Sequence, residues 1–477
     1  KAQQFTVQAT TLAQSLQAED IVYQWQWQLG RLLQQGDDRE GAIAAYTTAT
    51  RTLEQVRQNL LTIEPDLQFS FRENVEPLYR ELVDLLLKSD DATEPAHENL
   101  RQAIRTISEL QQAELENFLR CNLEPQQSLD EADPDPTAAF IYPIILRDRL
   151  EVILKLPQGK QYLHYQTPLS QTEINQVLVH LRSGLEDRSI SPEVLNLSQQ
   201  VYNWLIHPAE VALEQNGVKT LVFLLDGTFR NVPMAALYDG QQYLIERYAI
   251  ALAPSLQLPQ PRPLAALKLD ALIFGLSQIR AGFQPHQGFS SLPNVETELA
   301  EIRSQIPSQQ RLNAAFTADA LERMVSTSSE PIIHLATHGQ FSSNPEQTFI
   351  LSWDARIDVN RLSQILRNRD EHIAHPIELL ILSACRTADG DDRAALGLAG
   401  LAVRLGARST IASLWDVNDL ATAQLMQVFY QQLASADRAL TRAEALRQAQ
   451  LSLLQAEREG YNVPFFWAPY VLVGNWL

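Results

Sequence analysis

The sequence predicts an α/β protein: a mostly parallel sheet flanked by helices, preceded by an all-α region. Three observations predict it. Short apolar, β-prone runs recur at 220–225, 271–274, 332–336, 379–382, 409–414 and 470–473. Runs of helix formers lie between them, and that alternation builds a buried, largely parallel sheet. Ahead of them, residues 1–122 are rich in Gln, Glu, Leu, Ala and Arg and poor in Gly, which is a helical composition.

Within the all-α stretch, Leu29-Gly30 followed by Ala42, Tyr46 and Ala49 match one tetratricopeptide (TPR) repeat. Small residues let two helices approach, Tyr46 fills the space between them, and Gly36-Asp37-Asp38 supplies the turn. A plain helical hairpin accounts for the same residues. Leu82 to Lys88 and Leu100 to Leu119 read as further helices. Residues 124–136 are acidic and proline-rich, with Pro125, Asp130, Glu131, Asp133, Pro134, Asp135 and Pro136, so they read as a linker.

After it, Phe140 to Leu146 and Leu150 to Leu156 are apolar runs around Arg147-Asp148-Arg149, which predicts a hairpin. A third strand is expected from Gln161 to Tyr165, after a turn at Gln158-Gly159, and two helices at 171–185 and 192–206. Further helices are expected at 295–306, 318–325 and 394–405, and one from 419–434 continuing to 455. The resulting organisation is a TPR-like helical region at 1–123, a linker at 124–137 and an α/β domain at 138–477, in two halves at 138–260 and 261–477.

Composition narrows the function. The chain has 477 residues, 45% hydrophobic and 20% charged, and a formal net charge of −19. Such an acidic chain argues against a nucleic-acid surface, which needs clustered Lys and Arg. No apolar run is long enough to span a membrane. The two cysteines, Cys121 and Cys385, cannot build a disulfide framework or a thiolate zinc site, and they favour a reducing, cytoplasmic setting. The first residue is Lys1 rather than Met, so further residues are expected ahead of it.

The chemistry concentrates in two segments. One is Pro331-Ile-Ile-His-Leu-Ala-Thr-His-Gly339 and the other Ile377-Glu-Leu-Leu-Ile-Leu-Ser-Ala-Cys-Arg-Thr387. In a parallel sheet with right-handed crossovers, strand C-termini gather along one edge, where ligands bind. His338, Cys385 and Asp416 are each expected just past a strand, on that edge. A thiolate is the reactive form of cysteine, and a nearby imidazole can take the thiol proton and return it to a leaving amine. The backbone N–H groups of Gly339 and Cys385 are candidate donors to the tetrahedral oxyanion. A histidine about 50 residues ahead of a cysteine is the caspase-type spacing. No metal or cofactor is required.

Bland readings stand beside these. A lone cysteine is often a small buried hydrophobe, the expectation for Cys121. His334 reads as a buried, hydrogen-bonded neighbour on the same strand face as His338. A His334–His338 zinc site needs a helix and a following Glu, and neither is present. Asp389, Asp391 and Asp392 read as a lid or solvated turn, because calcium-loop spacing is absent.

His-Leu-Ala-Thr-His-Gly and Leu-Ser-Ala-Cys-Arg-Thr resemble the two active-site motifs of CHAT domains, caspase-like peptidase domains often joined to TPR arrays in bacteria. Further segments agree in order: Asp226 to Leu237, Tyr243 to Ile250, Leu252 to Ser255, Gly397 to Ala402, Gly406 to Ser409, Ser413 to Asp419, Ala443 to Gln450 and Trp467 to Gly474. The resemblance covers about residue 138 to the end. It implies a caspase-like sheet and a cysteine endopeptidase of the caspase, metacaspase and separase group. His338 becomes the general base or acid and Cys385 the nucleophile. The TPR-like helices would bind a substrate or regulatory protein. Leu414 to Asp419 resembles the separase segment that helps receive a substrate arginine, so Asp416 and Asp419 become candidate substrate contacts. Asn418-Asp419 also reads as the cap of the following helix. A catalytically silent CHAT scaffold for protein interaction is the alternative, and a purely helical adaptor a more distant one.

Overall fold

The computed structural model describes residues 1–63, 75–88, 95–119, 135–159, 161–255, 263, 268–342, 347–372, 376–387, 406–435, 440–456, 458 and 460–477. The expected helix at 394–405, Cys121, most of the acidic linker and the Asp389–Asp392 segment lie outside the described residues. The chain divides into two compact units, Lys1–Pro125 and Gln126–Leu477.

The first unit is helical. Its helices are α1 (Ala2–Ser15), α2 (Glu19–Gln35), α3 (Arg39–Ile63), α4 (Glu76–Leu87) and α5 (His97–Leu119). The α2–α3 pair is packed as its small residues require. Ala42, Tyr46 and Ala49 are fully buried. A Cβ on Gly30 would sit 2.8 Å from the Tyr46 ring, so only glycine admits that ring. The turn between them has Asp37 in the left-handed region at φ 59°, and Asp38 accepts from the Gly41 N–H at 2.9 Å. Glu81 ties the layers: it accepts from Trp27 Nε1 at 2.8 Å, from Arg31 at 2.6 and 3.0 Å, and from the Tyr46 hydroxyl at 2.9 Å.

Among the described residues, the second unit is built on a 13-stranded sheet. A meander opens it, β1 (Ala138–Ile145), β2 (Leu150–Lys155) and β3 (Tyr162–Thr167). Then come α6 (Gln171–Leu185), α7 (Pro192–Leu205), β4 (Thr220–Phe223) and β5 (Ala249–Leu252). The second half runs β6 (Ala271–Gly275), α8 (Val295–Gln305), β7 (Ser308–Leu312), α9 (Ala318–Thr327) and β8 (Ile332–Phe341). It continues with β9 (Phe349–Leu351), β10 (Arg356–Asp358), α10 (Val359–His372), β11 (Leu379–Thr387) and β12 (Ser409–Ser413). It closes with α11 (Asp419–Leu433), α12 (Arg442–Leu454) and β13 (Tyr470–Gly474). The sheet order is β10-β9-β8-β11-β12-β13-β5-β4-β1-β2-β3, with β6 on β8 and β7 on β6.

The fold class is the expected one, with a helical region preceding an α/β unit in the sequence. Besides the short strands β7, β9 and β10, which no apolar run announced, three particulars differ. First, the strands do not end along one edge. β7, β6, β8, β11 and β12 run parallel, and so do β13, β5, β4 and β1, but β12 and β13 pair antiparallel. The sheet therefore holds two parallel blocks of opposite sense, and Asp226 after β4 lies at the other edge from β8 and β11. Second, β8 and β11 run on through His338 and Cys385 instead of stopping before them. β9 explains this for β8, pairing antiparallel with Gly339 and Gln340 where β6 has ended. Third, the described residues of the expected 419–455 helix form two helices, Asp419–Leu433 and Arg442–Leu454. Ala434 caps the first, and Thr441 starts the second by accepting from the Glu444 N–H at 3.1 Å.

Candidate functional site

The site begins with a pairing between neighbouring parallel strands. β11 and β8 match from Leu379↔Ile332 to Leu382↔Leu335, then shift to Ala384↔His338 and Cys385↔Gly339. Ala336 and Thr337 of β8 thus oppose Ser383 alone, which is a β-bulge. Bulges are rare between parallel strands, and they re-aim the residues beside them. The register of β11 with β12 stops at Leu382↔Ala412, so Cys385 stands beyond that ladder. His338 and Cys385 are diagonal neighbours on adjacent strands, which lie about 4.8 Å apart in any sheet.

His338 is half-buried. Its Nε2 lies 2.6 Å from the Ser290 carbonyl oxygen, and its ring packs against Phe289 with centroids 5.0 Å apart. A carbonyl only accepts, so Nε2 carries a proton and Nδ1 is the basic nitrogen of the neutral ring. Ser290 and Phe289 belong to the connection between β6 and α8. Gly282 and Gly288 take its turns at φ 75° and 84°. Sequence reading missed this connection because it has no apolar period, and its contribution to His338 is a backbone oxygen.

The connection ends on a second candidate residue. The N–H and Nδ2 of Asn294 both donate to Asp419 Oδ2, at 2.8 and 3.0 Å. Asp419 is half-buried, and burial pushes its carboxyl above the usual range; the two bonds from Asn294 and the nearby His338 act against that rise, while Glu298 adds to it. Asn418 is the cap of α11, its side chain accepting from the Ala421 N–H at 3.0 Å, so the capping role falls to Asn418. Asp416 is exposed at the end of β12. Its neighbour Trp415 is buried and donates from Nε1 to the Phe465 carbonyl at 3.0 Å. Arg182 reaches from α6 to the same turn. It donates to the Leu414 carbonyl at 2.7 Å, and its guanidinium lies 4.4 Å from the Trp415 ring centroid. Nothing in the local sequence of α6 signals that reach.

His334 is fully buried, as expected of a structural neighbour. Its Nε2 faces Glu298 of α8 at 2.9 Å and its Nδ1 the Tyr430 hydroxyl of α11 at 3.1 Å. It locks β8 to the helices over it. Gly339 has a strand partner on each side, Cys385 and Ile350. Among the described residues, no group of three or more His, Cys, Asp or Glu could hold a metal ion, and no helix is long and apolar enough to cross a membrane.

Comparison with known proteins bears on the family and the fold. A family model described as CHAT domain matches residues 195–475. No curated protein sequence matches the chain. Among solved structures, a chain of the Saccharomyces cerevisiae separase–securin complex superposes with a TM-score of 0.52 at 11% identity, over 92% of this chain and 37% of that one. A second crystal structure of that complex gives 0.45 at 12% identity, over 92% and 37%. The complex of Porphyromonas gingivalis RgpB pro- and mature domains gives 0.36 at 8%, over 64% of this chain and 77% of that one. The first of these likenesses speaks to the fold, which is caspase-like as in separase. This chain spans little more than a third of the separase chain it matches.

Proposed function

The chain belongs to the CHAT domain family, and on that footing we propose that it is a cysteine endopeptidase acting through Cys385 and His338. The observation that carries the reading is the direct pairing of β8 with β11, which sets Gly339 opposite Cys385 and brings His338 to the next position on the neighbouring strand. His338 and His334 both meet partners from α8 and its approach.

In this reading His338 Nδ1 takes the Cys385 thiol proton, and the sulfur adds to the scissile carbonyl carbon. The N–H groups of Cys385 and Gly339 are the assigned oxyanion donors. The pairing of Gly339 on both sides makes Cys385 the stronger of the two. As the C–N bond breaks, the imidazolium gives its proton to the leaving amine, and water then hydrolyses the thioester. The Ser290 carbonyl holds the ring in the tautomer this needs.

Asp416 and Asp419 are proposed to favour a basic residue ahead of the cleaved bond. Asn294 engages one oxygen of Asp419, and the other is proposed to meet the cation. The substrate is proposed to be a protein, as separase itself is held in complex with securin. The TPR-like helices are its proposed binding or regulatory surface, and the cytoplasm the proposed setting.

The test is an arginyl acyloxymethyl ketone, with the adduct mapped by mass spectrometry. We expect one adduct on Cys385, lost in Cys385→Ala and slowed on the order of 100-fold in His338→Ala. Labelling of Cys385 that ignores His338 overturns the dyad. Absence of any Cys385 adduct supports the silent scaffold instead.

A further inference from the structure

From Ala281 to Ser290 the β6–α8 connection is exposed or half-exposed at every residue but one. The exception is His286, at 1% relative exposure. A surface loop seldom buries an imidazole in its middle without a reason, because the ring's polar nitrogens must then be satisfied. Both are. The Arg280 N–H lies 3.0 Å from Nδ1, and Nε2 lies 2.8 Å from the Ser352 carbonyl oxygen. A backbone N–H only donates and a carbonyl only accepts, so the ring is neutral and protonated on Nε2. Phe283 packs edge-on to it with centroids 5.1 Å apart.

Those two bonds close a circuit around the proposed base. Ser352 directly follows β9, and β9 is the antiparallel partner of Gly339 and Gln340. From His286 the loop runs on through Phe289 to the Ser290 carbonyl, which accepts from His338 Nε2. Phe289 also meets Phe349 of β9, with centroids 6.2 Å apart. His338 is thus held from two directions, through its own strand and through the loop, and His286 joins the loop to the strand pair. Ser352 is itself fixed: it is fully buried, its N–H donates to the Ala355 carbonyl at 2.9 Å and its hydroxyl to Asp354 at 2.9 Å. The anchor is rigid and the exposed loop hangs from it.

We infer that His286 is a positioning residue for the proposed peptidase. By pinning the loop to Ser352 it keeps the Ser290 carbonyl on His338, and so holds the base in its Nε2-protonated tautomer. The inference rests on the dyad reading, since an idle His338 would need no orientation. It predicts a defect in turnover rather than in substrate affinity, because the groups His286 meets, Arg280, Phe283 and Ser352, are not candidate substrate contacts.

The experiment compares His286→Phe, which keeps the buried ring without either bond, with His286→Gln, which keeps a donor for Ser352. Two readouts are taken. Nitrogen-15 NMR of histidine-labelled protein, in a Cys385→Ala background, reports the His338 tautomer whether or not the enzyme turns over. Hydrolysis of an arginyl peptide gives kcat and KM separately. The Phe variant is expected to shift His338 from the Nε2-protonated tautomer to a mixture, and to lower kcat about 10- to 100-fold with KM within about twofold. The Gln variant is expected to restore most of both. An unchanged His338 signal, or a Gln variant no better than Phe, overturns the inference. Should the wild type fail to hydrolyse any peptide, the dyad reading falls, while the tautomer arm still decides whether His286 controls the His338 ring. If the Phe variant does not fold, His286→Asn, which keeps only the acceptor for Arg280, takes its place.

Discussion

The two parallel blocks of the sheet treat a polar residue at a strand end in opposite ways. In the block of β1, β4, β5 and β13, Asp226 follows β4 and is 1% exposed. The Ile145 N–H of neighbouring β1 donates to its carboxylate at 3.0 Å. The next residue, Gly227, turns at φ 52°, where a Cβ would come within 3.2 Å of the Ile145 side chain. In the block of β6, β8, β11 and β12, His338 stays half-buried and is met by a loop carbonyl instead. A strand backbone closes over a polar group and makes it structural. A loop can orient a polar group and still leave room for a ligand. Position at a strand end therefore leaves a residue's environment open: one is met by a strand N–H and buried, the other by a loop carbonyl and left half-buried.

The sharpest way to break this contrast is to exchange the two roles. His338→Ala should cost hydrolysis on the order of 10²- to 10⁴-fold, with a melting temperature near that of the parent. Asp226→Ala should do the reverse. Stripping a buried N–H of its acceptor costs about 1–3 kcal/mol, read as a lower denaturation midpoint, while activity per folded molecule holds. If Asp226→Ala abolishes hydrolysis in well-folded protein, the two ends are not functionally distinct.

A smaller effect sharpens the link between the blocks. Arg182 of α6 is largely buried, and burial brings its guanidinium down to about 10 while Glu186 opposes that fall. Lysine lacks the planar guanidinium that lies over the Trp415 ring. Arg182→Lys should raise KM for an arginyl peptide on the order of fivefold, what about 1 kcal/mol of stacking is worth, with kcat nearly unchanged. Unchanged KM would show that the Leu414–Trp415 turn keeps its shape without α6.

The smallest effect concerns Asp419. Its carboxyl lies above the usual range, chiefly through burial. A raised carboxyl favours the folded state most when protonated. Its contribution is present below the unfolded value and is lost as pH rises through the folded one. Asp419→Asn keeps an acceptor for Asn294 and removes this slope. Melting temperatures of variant and parent should therefore diverge from pH 4 towards pH 7, in the variant's favour. Parallel curves over that range would contradict the assignment.

Much of the architecture was legible in the residues. Buried strands such as Thr220–Phe223 and Leu379–Leu382 are nearly unbroken apolar runs, and such runs need no tertiary knowledge to recognise. β7, Ser308–Leu312, was not legible, because Ser-Gln-Gln-Arg-Leu carries no strand pattern and forms only as the edge partner of β6. β9 and β10 are three residues each and exist through their pairing with each other and with β8. The Leu29-Gly30 and Tyr46 contact was readable from residue sizes, but the Glu81 cluster, joining residues far apart in the chain, was not.

What the sequence determined on its own was chemistry and local propensity: which segments are apolar, which side chains can titrate, and that a histidine and a cysteine follow similar runs. Tertiary structure decided how those pieces meet. The reversal between β12 and β13, the bulge that shifts His338 against β11, and the Ser290 carbonyl on its ring all arise from long-range pairing of backbone groups. Backbone groups are the same at every residue but proline, so a sequence cannot mark which of them will be partners.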